Sequence, residues 1–146
     1  MEINMKSKVE KVMECFNDGF DCSQAILSTY CEELGMDRET ALKISCGLAV
    51  GMARLGSTCG AVSGAYLVLS LKYGKFQKGD SEAKEKTFQL IQDFDRQFVL
   101  KHGSTNCREL VGVDMRYGDK TLARERVLAI CPGLVKSAAE ILESIL

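Results

Sequence analysis

The chain has 146 residues, 46% of them hydrophobic and 27% charged, and a formal net charge of -1. Those values suit one soluble globular domain, and with no basic run they argue against nucleic acid or an anionic membrane surface as a partner. Seven cysteines beside a single proline, with no signal-peptide pattern in Met1–Lys6, argue against a secreted disulfide scaffold. A cytoplasmic protein is expected, whose thiols serve redox chemistry, a metal or simple burial. The longest uncharged run, Leu55 to Leu71, is short for a bilayer span and rich in small polar residues, so no membrane span is expected.

The apolar spacing is helical almost throughout. Val9, Val12, Met13 and Phe16 fit one face of a first helix. Cys22 to Leu34 reads as a second, ended by Gly35. Asp37 caps a third, from Arg38 to about Arg54, and a fourth runs from Cys59 to Tyr73. Asp80 or Ser81 opens a long amphipathic helix with Phe88, Ile91, Phe94 and Phe98 inward, closed by Gly103. A short helix follows from Cys107 to Val111, and another covers Lys120 to Ile130. Pro132 then starts the last, with Leu134, Val135, Ala138, Ile141 and Leu142 facing the core. Gly112 to Tyr117 is the one weak strand candidate. The expected fold is an all-α, single-domain bundle of about six to seven helices covering residues 1–146.

Four cysteines fall at predicted helix starts. Asp21-Cys22-Ser23-Gln24 has the pattern of a capping box with Cys22 at the first helical position, and Asn106-Cys107-Arg108-Glu109 repeats it. Thr58 can cap a helix beginning at Cys59, and Cys131 precedes proline and is read as the cap of the last helix. Free amides and the helix dipole at such positions stabilise thiolate, so lowered thiol pKa values are expected for Cys22, Cys59, Cys107 and Cys131. Cysteine is also a small hydrophobe, and Cys15, Cys31 and Cys46, inside helices among apolar neighbours, fit plain burial.

Gly47 and Gly51 are four apart, as are Gly56, Gly60 and Gly64. This spacing allows two helices to approach closely, or leaves room for a ligand beside Cys59. Arg54, Gly60 and Gly64 are the candidate ligand-pocket residues, with Arg54 either lowering a thiol pKa, holding an anion or capping the third helix. No Cys-x-x-Cys, nucleotide-binding glycine loop or haem-attachment motif occurs. The single histidine, His102, suits a cationic cap at the end of the long helix.

Cys59-Gly60-Ala61-Val62-Ser63-Gly64 resembles the central motif of the C_GCAxxG_C_C family. Phe20 to Ala25, Gly51 to Thr58 and His102 to Leu110 resemble its flanking segments, and Cys131 falls where the fourth family cysteine is expected. The resemblance spans nearly the whole chain. It implies a redox-active protein built on Cys22, Cys59, Cys107 and Cys131, and it matches nothing to Cys15, Cys31 or Cys46.

Four functional readings stand. The first is thiol–disulfide or sulfur-relay chemistry, as in a thiol-based oxidoreductase, with Cys59 as the attacking sulfur and a redox protein or small molecule as partner. The second is binding of zinc or an iron–sulfur cluster by the same four cysteines, which their place at helix starts disfavours because partial positive charge weakens attraction for a cation. The third is an enzyme with a bound small molecule near Cys59 and Arg54, and the fourth a bundle with incidental cysteines. Disulfide pairing and oligomeric state stay open.

Overall fold

The computed structural model describes residues 5–146; the signal-peptide reading of Met1–Asn4 lies outside the described residues. Among those residues, seven right-handed helices and one left-handed turn follow in the order α1 Lys8–Asn17, α2 Cys22–Tyr30, α3 Arg38–Cys46, α4 Ala49–Ala53, α5 Gly60–Tyr73, α6 Ser81–His102, α7 Cys107–Val111 and α8 Lys120–Ile145. A short 3₁₀ turn, Glu32–Leu34, follows α2. The chain forms one all-α domain, as its apolar spacing requires. Gly112 to Tyr117 is turn and coil, and the sole bridge among the described residues joins Thr58 to Asn106.

Helix α5 is the centre. Its Ala61, Val62, Ala65, Val68 and Leu69 are fully buried, on more than one face, so it must be covered all round. Helix α2 packs against it, α1 and α8 pair beside them, and α6 closes the outside of α5 and α8. Gly64 sets the α2–α5 distance: a methyl there would lie 3.1 Å from Ser23 Cα and 3.0 Å from Ser23 O. On α6, Phe94 and Phe98 are fully buried and Tyr66 meets Phe94 edge-on at 5.7 Å. Each such ring contributes about 1.5–3 kcal/mol by leaving water. Phe88, expected on that inner face, is 49% exposed, because the buried stripe of α6 runs through Thr87, Phe94 and Phe98 and Phe88 falls to its side.

Side-chain caps start the helices where the sequence predicts. Gln24 accepts the Asp21 N–H at 3.1 Å, Asn106 accepts the Glu109 N–H at 3.1 Å and Asp80 accepts the Ala83 N–H at 3.1 Å. Several boundaries differ from expectation: the second helix, expected to reach Leu34, ends at Tyr30 and is followed by the 3₁₀ turn. The third helix stops at Cys46, not near Arg54: Gly47 caps it, and Val50 to Arg54 all have positive φ. The predicted break at Pro132 is absent, and α8 runs unbroken through it. Proline inside a helix costs about 3 kcal/mol. Burial of Leu134, Val135, Ala138, Ile141 and Leu142 along the continuing axis outweighs that cost. His102, expected as a cationic cap, leans on Phe98 at 4.7 Å; burial and then Lys101 lower its pKa and favour the neutral ring.

Candidate functional site: a cavity lined by four cysteines

Three helix N-termini converge on one cavity of about 70 Å³. Helix α2 brings Cys22, α5 brings Cys59 and Gly60, and α7 brings Cys107; Cys131 completes the set from the middle of α8. Phe16, Val111, Leu134 and Val135 make the rest of the wall largely apolar. A cavity of this size admits a few waters or the end of a small ligand. Cysteines separated by up to 109 positions thus meet at one place.

A pair of backbone hydrogen bonds sets Cys59 beside Cys107. Cys59 N–H donates to Thr105 O at 2.8 Å, and Cys107 N–H donates to Ser57 O at 2.7 Å. These are the two rungs of the antiparallel bridge between Thr58 and Asn106. Cys59 is therefore the cap of α5 rather than its first residue. Cys22 and Cys107 occupy the first helical positions, as expected. Cys131, expected as a cap, is interior to α8, since proline fails to start a new helix there.

The left-handed turn α4 forms the floor. Val50, Gly51 and Met52 have φ of 56°, 63° and 67°, and Ala53 and Arg54 follow at 53° and 67°. L-residues pay about 1–2 kcal/mol each for this conformation, and runs of it are rare. The turn persists because its amides are tied down. Arg54 N–H donates to Val50 O at 2.9 Å, Met52 N–H to Leu48 O at 3.2 Å and Ser57 N–H to Gly51 O at 2.8 Å. Ser23 Oγ, donating to Ser45 O at 2.7 Å, fixes the approach from α3. Two glycines let the sulfurs come close. A methyl on Gly51 would lie 2.5 Å from Cys107 Cβ, and one on Gly60 would lie 2.4 Å from Cys22 Sγ.

Burial dominates the electrostatics. It pushes the Cys59 thiol up to about 12, with Cys22 adding to the shift, the Ala61 and Val62 amides opposing it, and Cys131 adding least. Cys131 also rises to about 12 through burial, then Cys22, then Cys107. Burial and then Cys22 raise Cys107. Cys22 is raised by burial too, but hydrogen bonds from the Val50 and Ser23 amides oppose it. The lowered pKa values expected from helix starts are thus reversed: removing thiolate from water costs more than the dipole returns. Negative charge on Cys22 raises the other three.

The remaining predicted residues divide. Gly60 lines the cavity, whereas Gly64 is a packing residue under α2. Arg54 lies outside the cavity, in a groove that adjoins it. Cys31 is fully buried and Cys15 half-buried, in contact with Ser28 Oγ at 3.5 Å. Cys46, expected to be buried, is exposed at the end of α3. All seven cysteines carry free thiols. Among the described residues, no three His, Cys, Asp or Glu side chains are grouped so as to hold a metal ion. No described helix is long and apolar enough to cross a membrane. Sequence reading missed Val50, Gly51, Met115 and Val127 as cavity residues; of these only Gly51, four residues from Gly47, left a signal.

An all-α fold that gathers four cysteines around one cavity defines a helical thiol protein. The family model described as "Putative redox-active protein (C_GCAxxG_C_C)" matches residues 20–145, and the chain belongs to that family. Neither a curated protein nor a solved structure matches the chain.

Proposed function

We propose that the chain performs two-electron thiol–disulfide chemistry at the cavity, with Cys22 as the attacking sulfur and Cys59 as the resolving one. The observation that carries this reading is the convergence of Cys22, Cys59, Cys107 and Cys131 on one largely apolar cavity. Cys22 takes the role that the sequence assigned to Cys59, because it is half-buried where Cys59 is buried, and the Val50 and Ser23 amides oppose its desolvation. Thiolate, not thiol, is the nucleophile.

The Cys22 thiolate attacks one sulfur of a disulfide RS–SR. A Cys22–SR mixed disulfide forms, the S–S bond of the substrate breaks, and RS⁻ leaves and takes up a proton. Cys59 then loses its proton to solvent and attacks the Cys22 sulfur, releasing a second RS⁻. The sum is RSSR plus two cysteine thiols giving a cysteine disulfide plus two RSH. The protein loses two electrons and the substrate gains them. Cys107 and Cys131, coupled to Cys22 by charge, form the second pair that can pass the oxidation on. The direction of flow follows from the relative reduction potentials.

The rival reading, zinc or an iron–sulfur cluster on the same cysteines, needs the sulfurs gathered at one centre. Among the described residues no such group of three or more His, Cys, Asp or Glu side chains is formed. The test is a free-thiol count on native protein before and after a mild two-electron oxidant. Thiols disappearing in pairs, within one chain and reversibly with a dithiol reductant, are expected. Retention of all thiols, or stoichiometric iron or zinc by elemental analysis of anaerobically purified protein, contradicts the proposal.

A further inference from the structure

We propose that a second concavity beside the cysteines is an anion-recognition site, and that the disulfide substrate is a small organic one bearing carboxylate or phosphate groups. The inference rests on the thiol–disulfide reading of the cavity and names the substrate class for it. Arg54, Arg116, Lys120 and Arg124 all line a groove of about 730 Å³, and no carboxylate lines it. Small-ligand sites fall in that size range. Val50, Met115 and Val127 line both groove and cavity. A ligand whose acidic end lies in the groove therefore has its other end directed at the sulfurs.

Arg116 lies over the Tyr117 ring at 4.5 Å, a contact that leaves its charge unneutralised. None of the four cations forms an ion pair with the described residues. Nearby acids are otherwise engaged: Asp114 faces Arg108 at 3.7 Å and accepts the amides of Arg116 and Tyr117, while Asp119 caps α8 through the Leu122 amide at 2.9 Å. The chain as a whole carries a formal charge of -1, so the clustering is local and not a reflection of a basic protein. Lys120 and Arg124 are one helical turn apart on α8, and the left-handed turn swings Arg54 to the same opening. A concave surface of one sign concentrates oppositely charged ligands and raises their encounter rate. Guanidinium groups match the planar face of a carboxylate or phosphate better than an ammonium does.

Two disulfide probes separate this proposal from the reading it rests on: bis(carboxynitrophenyl) disulfide, a dianion, and dipyridyl disulfide, which is neutral. Both are reacted with full-length protein in which the off-cavity Cys15 and Cys46 are replaced by serine. The expected ratio of anionic to neutral rate constant falls roughly fivefold or more when salt rises from about 20 mM to about 500 mM. It falls about tenfold in Arg124→Gln and in Arg54→Gln, and Arg124→Gln, exposed on α8, serves if the Arg54 variant does not fold. Inorganic phosphate or acetate, compared at equal ionic strength, then slows the anionic probe and identifies which acid the groove prefers. If the neutral probe oxidises the cavity thiols while the ratio ignores salt and both variants, the groove proposal is overturned and the thiol reading stands. If neither probe produces a cavity disulfide, both fall.

Discussion

Gly60 lies against the sulfur of Cys22: a methyl group on Gly60 would come within 2.4 Å of Cys22 Sγ, and within 3.2 Å of Leu48 O. The contact joins the start of α5 to the start of α2 and explains why glycine follows Cys59. Gly60→Ala is expected to displace Cys22 and to slow mixed-disulfide formation with a neutral disulfide about tenfold, at a stability cost of about 1–3 kcal/mol. Urea midpoints and thiol-exchange rates measure the two effects. The matched control is Gly133→Ala in α8, where nothing lies within 4 Å of the added methyl; there stability is expected to rise by about 0.5–1 kcal/mol.

The left-handed turn makes a second pair of opposite expectations. At Gly51, φ is 63° and an added methyl would lie 3.0 Å from Ser57 N and 3.1 Å from Cys107 Sγ. Gly51→Ala combines backbone strain with overpacking, for about 2–4 kcal/mol of destabilisation. Ala53, exposed at a φ of 53°, behaves the other way. Ala53→Gly relieves about 1–2 kcal/mol of strain against a smaller entropic cost, and is expected to stabilise by up to about 1 kcal/mol. Chemical denaturation of both variants checks the signs.

Burial of the thiols gives a pH dependence. Folding holds Cys59 and Cys131 protonated up to about 12, and raises Cys22 and Cys107 as well, from an unfolded value of 9.0. The native state therefore keeps protons that the unfolded chain gives up above pH 9.0. Stability from these groups is complete below that pH and is lost as pH rises toward about 12. Urea midpoints in reductant are expected to fall across this window. Replacing Cys59 with alanine is expected to flatten the fall, and an unchanged slope would contradict the assignment. In the same window Cys22 is expected to alkylate before Cys59, Cys107 and Cys131.

The roles of Cys22 and Cys59 differ in their variants. Cys22→Ser is expected to abolish mixed-disulfide formation at the cavity. Cys59→Ser is expected to leave the first attack intact and to accumulate the Cys22 adduct, visible as a mass increase that dithiol reductant removes. An adduct on Cys59 in the Cys22→Ser protein would return the attacking role to Cys59.

Much of this architecture was legible because caps are local. Asp21 with Gln24, Asn106 with Glu109 and Asp80 with Ala83 each reveal a helix start within four residues. Cys22, Cys59 and Cys107 were legible by helix starts as well as by family resemblance, and Cys131 by the resemblance alone, since it lies inside α8. What was hidden depends on distant packing. Val50, Met52, Ala53 and Arg54 read as an ordinary helical run, since only the surrounding carbonyls and Cys107 force them left-handed. Pro132 reads as a boundary because its cost is local, whereas the compensating burial of Leu134 to Leu142 comes from packing against distant helices, α1, α5 and α6 among them. The thiol pKa directions reversed for the same reason: a cap pattern shows the dipole but not the depth at which the sulfur sits.

Peptide mapping of the oxidised chain by mass spectrometry, with Cys15 and Cys46 replaced by serine, tests the central claim most directly. The account predicts a Cys22–Cys59 linkage as the first to form, followed by one between Cys107 and Cys131, with Cys31 left as a thiol. A first disulfide that joins Cys31 to any partner, or oxidised protein linked only between chains, would contradict it.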